Sequence, residues 1–333
     1  MNAPARPRLQ VVQGLDPATY SPHALHMDGQ VWVEKNCYAD VWIEMLHALD
    51  LDPHAMLAFA LAVDFEGDQW TFFKPPHADL YALYGIDVQE LTVWRPLVEH
   101  LQEHLAGGKW VSTEADAWWL PDTAGTDYRR QHTKTTIVVN DLDLDRQRLG
   151  YFHNASYHAL DGEDFRRLLR IDEPADPAAL PLFAELVRVD RVRRPPQAEL
   201  HRLAASMLVR QFERRPTSNP VRRFADRFER DLPRLQERGL PHYHQWAFAT
   251  IRQCGSAFEL AAAHLRWQSA DLAAAQDAAR ACMRIAEGCK ALILKAARTV
   301  ANGRPLDAAP MLDDMAASWD EAMTRTGDYV RSL

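Results

Sequence analysis

Between Asn36 and Asp50 the apolar residues Val41, Trp42, Met45, Leu46 and Leu49 recur at helical spacing, and Asp40, Glu44 and His47 fall on the opposite face. The pattern predicts a helix with Asn36 as N-cap and Cys37 in its first turn. Val31-Trp32-Val33, just before it, reads as a short extended piece. A second helix is expected from Pro53 to Val63, with proline at its first position. Asp64 to Asp68 reads as a turn and Gln69 to Phe73 as a strand. A short section from Tyr81 to Leu91 leads to a helix over Arg95 to Ala106, closed by Gly107-Gly108. Trp110 to Trp119 reads as a strand running into the Leu120-Pro121-Asp122 turn. His132 to Asn140 is rich in Thr, Val and Ile, and Leu149 to His153 is its partner across the polar turn Asp141 to Gln147. Helices followed by antiparallel strands make an α+β domain.

Beyond the Pro-rich segment Asp172 to Leu182 and the Arg193-Arg194-Pro195-Pro196 linker, strand signals vanish. Gln197 to Arg214, Pro220 to Arg238, Pro241 to Trp267, Ala270 to Asn302 and Asp307 to Val330 carry apolar residues at helical spacing and predict an all-α helical bundle. The expected organisation is a loose leader at 1–24, an α+β domain at 25–182 and a helical domain at 197–333.

Composition narrows the class. The 333 residues are 47% hydrophobic and 25% charged, ordinary for a globular protein, and suggest two domains. The apolar run Met56 to Val63 is far short of the roughly 20 residues a membrane span needs, and the N-terminus has no apolar signal core. A cytoplasmic protein is expected. The net charge of −8 argues against general nucleic-acid binding. Arg188 to Arg238 departs from that balance, with fourteen Arg against seven Asp or Glu. That run reads as a solvated face or as a docking patch for an acidic partner, with Arg222 and Arg223 among its members.

Four cysteines form no disulfide framework. Cys254, Cys282 and Cys289 sit among alanines and aliphatics on helical pattern and read as small core residues. Cys37 differs. A thiol in the first turn of a helix sits at the positive end of the helix dipole, which favours the thiolate that attacks carbonyls. The same position also suits a buried structural cysteine. A nucleophile needs an imidazole, and His132, opening the run Thr133 to Val139, is the candidate base. Asn154, after the next strand, is the candidate for orienting its ring, giving the chain order Cys, His, Asn of papain-like sites. His153 is the alternative orienting residue.

Two other patterns carry simpler readings. His100-Leu101-Gln102-Glu103-His104 has the spacing of inverted zinc peptidases, but Leu97, Leu101 and Leu105 mark the buried stripe and leave the histidines on its polar flank. Asp64 to Asp68 and Asp141 to Asp145 alternate acids without the twelve-residue spacing of a calcium loop and read as turns. No metal site is expected.

Several ordered features together resemble a known family. They are Asn36-Cys37-Tyr38, Glu114-Ala115-Asp116-Ala117-Trp118-Trp119-Leu120-Pro121, His132 leading Thr135-Thr136-Ile137-Val138-Val139, Gly150-Tyr151-Phe152-His153-Asn154, and Leu160-Asp161-Gly162-Glu163-Asp164-Phe165. Across most of the chain they resemble the bacterial family catalogued as domain of unknown function 1839. Over residues 25 to 170 the layout is more distantly similar to the N-terminal domain of butirosin biosynthesis protein H and to leader-peptidase domains of bacteriocin exporters. That likeness implies a papain-like cysteine-protease fold and an acyltransferase forming an amide or ester from a thioester, through an acyl-Cys37 intermediate. It implies His132 as base and a Gln as oxyanion donor, six residues before the Cys in the peptidases where Gln30 here is seven before; the Cys37 backbone N–H and the Asn36 side chain are competing donors. The implied partners are an acyl or aminoacyl carrier protein bearing phosphopantetheine and a small amine or alcohol acceptor, in a biosynthetic setting, with no cofactor on this chain. A cysteine peptidase or amidase on the same triad, or a non-catalytic binding module of that fold, fits the same residues.

Overall fold

A computed structural model describes residues 6–171, 181–269, 272–303 and 305–333. In chain order its first elements are β1 (Leu9–Gln10), α1 (Cys37–Ala48), a 3-10 stretch (Pro53–Ala62), β2 (Phe65–Glu66), β3 (Gln69–Trp70), α2 (His77–Tyr84) and β4 (Asp87–Glu90). Next come α3 (Leu97–Ala106), β5 (Trp110–Asp116), β6 (Lys134–Asp143), β7 (Arg148–His153), β8 (Ser156–Asp161), α4 (Gly162–Leu168) and β9 (Ala184–Arg188). Among the described residues that follow, the elements are helices: α5 (Gln197–Glu213), α6 (Pro220–Ala249), α7 (Ile251–Gln268), α8 (Ala273–Asn302) and α9 (Ala309–Ser332). The chain is therefore α+β. Of the Pro-rich segment expected at Asp172 to Leu182, residues 172–180 lie outside the described residues.

The chain divides into two compact units, each assembled from several segments rather than separated by one cut. The first holds the described residues up to Met27, then Cys37–Asp52 and Leu80–Arg194; the second holds Asp28–Asn36, Pro53–Asp79 and Pro195–Leu333.

The first unit is built on a seven-stranded antiparallel sheet, ordered β4-β9-β5-β6-β7-β8, with β1 also pairing β6. Alternation along the strands sorts side chains between its two faces. One face carries Val111, Ala115, Ile137, Val139, Leu149, Tyr151 and Leu160, and packs against Leu97, Leu101 and Leu105 of α3 and Phe165 and Leu168 of α4. The α3 stripe is the one the pattern predicts. His100, expected on the polar flank, is instead buried beside Trp94. The other face receives α1, which packs on β6 and β7. Gly150 on β7 makes room there for Tyr157 on β8, whose hydroxyl would lie 2.2 Å from an added Cβ.

The expected loose leader is built into this unit from residue 6 onward. Arg8 pairs with Asp141, Leu9 registers with Leu142, and the Tyr20 hydroxyl donates to Glu44 on α1 at 2.6 Å. Charged side chains and a two-residue strand do this without the long apolar run that pattern reading looks for. Both His26 ring nitrogens face carboxylates of α1, Asp40 at 3.0 Å and Glu44 at 2.5 Å, and all three side chains are buried. Burial alone would push the His26 imidazole down, yet the two carboxylates hold it above its ordinary value.

In the second unit α7 packs on α8 and α8 on α9. Small residues on the buried faces, such as Ala257, Ala261, Ala278, Ala279 and Ala286, let the helices approach. The extended piece expected at Val31 to Val33 forms no strand. Its N–H groups find a carboxylate instead: Val31 and Trp32 donate to Glu259 of α7 at 2.6 and 2.9 Å. The Trp32 indole lies against Gly255, where a Cβ would come within 2.6 Å of the ring, and its Nε1 donates to the Ala286 carbonyl at 3.2 Å. Among the described residues no helix is long and apolar enough to cross a membrane.

Candidate active site

Cys37 is the first residue of α1 and is half-buried, whereas Cys254, Cys282 and Cys289 are buried in the second unit. Burial pushes the Cys282 thiol up to about 12, and burial together with the neighbouring Cys289 pushes Cys254 up as well. Cys254 and Cys282 thus stay protonated, and all three thiols are enclosed, which fits their reading as core residues.

The residue after Cys37 ties the start of α1 to the sheet. The Tyr38 hydroxyl donates to Glu185 Oε2 on β9 at 2.9 Å, and Glu185 registers with Ser112 on β5. Ser112, Glu114 and Asp116 alternate with the core residues Val111 and Ala115, so they lie on the face that receives α1.

At the end of β5 on that face stands the pair that includes His132. Asp116 registers with Lys134 at the opening of β6, which brings its carboxylate beside the residues just before that strand. Asp116 Oδ2 meets His132 Nδ1 at 2.6 Å, and Asp116 Oδ1 accepts the Trp118 N–H at 3.1 Å, capping the 3-10 turn Ala117–Trp119. The His132 ring lies flat on Trp118, with centroids 4.6 Å apart and planes 13° from parallel. Its side chain is 70% exposed, and its Nε2 makes no hydrogen bond among the described residues. A carboxylate only accepts, so the neutral form of the imidazole is the tautomer with its proton on Nδ1 and its lone pair on Nε2. This is the arrangement of a general base held by an acid. No hydrogen bond joins Cys37 to His132 among the described residues.

The residues expected to orient His132 stand elsewhere. Asn154 occupies the tight turn between β7 and β8, at a φ of 47° that asparagine tolerates better than most residues. His153 is buried with both ring nitrogens engaged: Nδ1 faces Asp122 Oδ2 at 2.5 Å and Nε2 faces the Thr135 hydroxyl at 2.8 Å. The position at His132 Nδ1 belongs to Asp116, on the preceding strand. A hairpin pairing of the Trp110 and His132 strands, with register counted from Val139 opposite Val111, is the signal that finds it.

The expected oxyanion donors belong to the second unit. Asn36 is buried there and its Nδ2 donates to the Phe73 carbonyl at 2.9 Å, while Gln30 precedes the Val31 and Trp32 pair held by Glu259. Arg222 is ion-paired with Asp320 at 3.0 Å, and Arg223 with Asp64, so both docking candidates have an acid of their own. His100 and His104 stack with centroids 6.2 Å apart. Among the described residues no group of three His, Cys, Asp or Glu is arranged to hold a metal ion.

A 17-residue loop, 117–133, frames the exposed imidazole. Arg129 lies over Trp119, 4.4 Å from the ring centroid, and its Nη2 donates to Asp164 on α4 at 2.5 Å. The Tyr128 hydroxyl donates to the same carboxylate at 2.8 Å. Asp122, in the middle of the loop, accepts the Tyr151 hydroxyl at 2.5 Å besides facing His153.

No curated protein matches this chain. Residues 21–189 match the DUF1839 N-terminal domain and residues 197–327 the DUF1839 C-terminal domain. The two matches meet at the end of the sheet-bearing segment and the start of the helices, and between them they span most of the sequence; the chain belongs to the DUF1839 family.

Proposed function

We propose that this protein is a cysteine-dependent acyltransferase that makes an amide or ester from a thioester donor, with Cys37 as nucleophile, His132 as base and Asp116 as the residue that orients it. The observation that carries this reading is the Asp116–His132 pair. The His132 side chain is exposed and its Nε2 makes no hydrogen bond among the described residues, while Asp116 lies on the face of the sheet that also receives the helix opened by Cys37. Catalytic hydrogen bonds are often long before substrate binds, so the unjoined thiol and imidazole are compatible with it. A papain-like fold agrees with a helix-borne cysteine packed on an antiparallel sheet.

In the reaction His132 Nε2 takes the Cys37 thiol proton and the sulfur attacks the thioester carbonyl carbon. The donor C–S bond breaks, and the leaving thiol carries away the proton from the imidazolium. An amine or alcohol then attacks the acyl-Cys37 carbonyl and gives its proton to His132; the new C–N or C–O bond forms, the acyl C–S bond to Cys37 breaks, and the imidazolium returns the proton to the Cys37 sulfur. Water in place of the acceptor makes the same site a peptidase or amidase. A phosphopantetheine thioester on an acidic carrier protein is the proposed donor, in keeping with the Arg-rich run that includes Arg222 and Arg223.

The test is incubation with a simple acyl thioester and mass mapping. An acyl group on Cys37, absent after Cys37→Ala and slowed at least a hundredfold by His132→Ala, is the expected result. Absence of acylation on Cys37 with thioesters, esters and amides alike leaves a binding module and overturns the catalytic reading.

A further inference from the structure

The 117–133 loop ends in His132 and carries Trp118, the surface on which that ring lies. Its root is closed by the Ala117 N–H donating to the Thr133 carbonyl at 2.9 Å and the Arg129 N–H to the Trp118 carbonyl at 3.1 Å. Tyr128 and Arg129 tie the second half of the loop to Asp164 on α4, and the first half, which carries Trp118, needs a tie of its own. Asp122 supplies a buried anchor. Its side chain, 7% exposed, takes the Tyr151 hydroxyl on one oxygen and His153 Nδ1 on the other. His153 in turn meets the Thr135 hydroxyl on β6, three residues after His132. The loop, β7 and the opening of β6 are thereby joined through one carboxylate.

Hydroxyl, imidazole and carboxylate in line is also the arrangement of a nucleophile triad. Thr135 is only 8% exposed and His153 1%, so this line is enclosed and has no room for an acyl group. His132 has what His153 lacks. Burial would push the Asp122 carboxyl up, but His153, His158 and Tyr151 hold it below the usual carboxylate range, so it stays an acceptor at neutral pH.

We infer that Asp122 is a positioning residue for His132: by clamping the loop to Tyr151 and His153 it sets the imidazole on Trp118 in reach of Asp116. The inference rests on the reading of His132 as base, and its consequence for the reaction is geometric. A base displaced by about 1 Å loses on the order of a hundredfold in rate.

The experiment compares the full chain with Asp122→Asn, which keeps the side-chain volume but turns an amide N–H₂ or a neutral oxygen toward His153. The first readout is the ring 1H–13C NMR signal of His132, assigned with His132→Gln. Stacking on Trp118 shifts it upfield by ring current, and Trp118→Leu gives the value for an unstacked ring. Asp122→Asn is expected to move the signal at least halfway to that value. The second readout is the pH profile of Cys37 alkylation by iodoacetamide, expected to lose at least tenfold of its His132-dependent rate. An unmoved His132 signal in a folded Asp122→Asn protein overturns the inference. A moved signal with Cys37 alkylation that never depended on His132 upholds the positioning and overturns the catalytic reading instead. If Asp122→Asn fails to fold, Thr135→Val and Tyr151→Phe, which each remove one hydroxyl from the network, are read the same way.

Discussion

His132 lies flat on Trp118, ring centroids 4.6 Å apart, while its Nδ1 is held 2.6 Å from Asp116. The stack and the carboxylate fix different degrees of freedom. The indole sets the plane of the imidazole, and the acid sets its rotation within that plane and its tautomer. An exposed histidine without both would sample many rotamers, so each partner narrows the directions in which Nε2 points.

Replacing Asp116 with Asn is therefore expected to lower acyl transfer by two to four orders of magnitude while leaving the protein folded, because it allows the tautomer with the proton on Nε2. Trp118→Ala is expected to have a smaller effect, about tenfold. Thioester turnover with circular dichroism as the fold control checks both. Unchanged turnover in Asp116→Asn would remove that residue from the site.

Cys37 is expected to be the single thiol labelled by iodoacetamide in the native protein. The other three are enclosed, and burial holds Cys254 and Cys282 in the protonated form. Labelling of Cys254, Cys282 or Cys289 should appear only in denaturant. Mass mapping before and after guanidinium addition reads the difference directly.

The buried cluster on α1 gives stability a defined pH dependence. The Asp40 and Glu44 carboxylates hold His26 above its ordinary value despite burial. A histidine raised on folding contributes stability that is fully present below its unfolded value, about 6.5, and is lost as pH rises through the higher folded value. Urea midpoints should thus fall between neutral and alkaline pH, and that fall should be missing in His26→Gln. Removing the imidazolium leaves two carboxylates buried together, at a cost of about 3–5 kcal/mol. A His26→Gln protein as stable as the parent at pH 6 contradicts this account.

Gly150→Ala tests the packing of the central strands. The added methyl would stand 2.2 Å from the Tyr157 hydroxyl and 2.9 Å from Asp141 Cβ, an overpacking expected to cost about 1–3 kcal/mol. Part of that cost should disappear in a Tyr157→Phe background, which removes the nearest clashing atom and leaves the Asp141 contact. A thermal-melt double-mutant cycle measures the coupling.

The sequence shows the periodic elements well and the anchoring polar ones poorly. The α1 and α3 stripes, the paired strands β6 and β7, and the helical second half follow from spacing alone. Val31 to Val33 looks extended because it is apolar and short, yet Glu259, 227 residues beyond Trp32, takes its N–H groups. The built-in start of the chain rests likewise on Arg8 with Asp141 and Tyr20 with Glu44, contacts with no local signal. At the site, Cys37 on a helix start and His132 at a strand start are legible. Asp116 is not, because proximity in sequence favours the strand after the histidine, whereas the register of the strand before it brings the acid to the ring.

The carrier-protein donor makes the last prediction. Arg222 is 57% exposed but paired with Asp320, and Arg223 also reaches Asp64, Ser218 and the Phe65 carbonyl, so replacing Arg223 disturbs its own unit. Arg234 and Arg238 are exposed on α6 and make no ion pair among the described residues. If an acidic carrier docks on this run, Arg222→Gln with Arg234→Gln and Arg238→Gln should slow acylation of Cys37 from a carrier-bound thioester severalfold at low salt. The deficit should shrink toward 1 M salt, where the Debye length is about 3 Å rather than about 10 Å at 0.1 M. Acylation by a small thioester, which needs only the thiol and its base, should be unchanged. Equal loss with both donors means damage to the fold. No loss with either means that the arginines are a solvated face, held in part by Asp320, and that the donor reaches Cys37 without them.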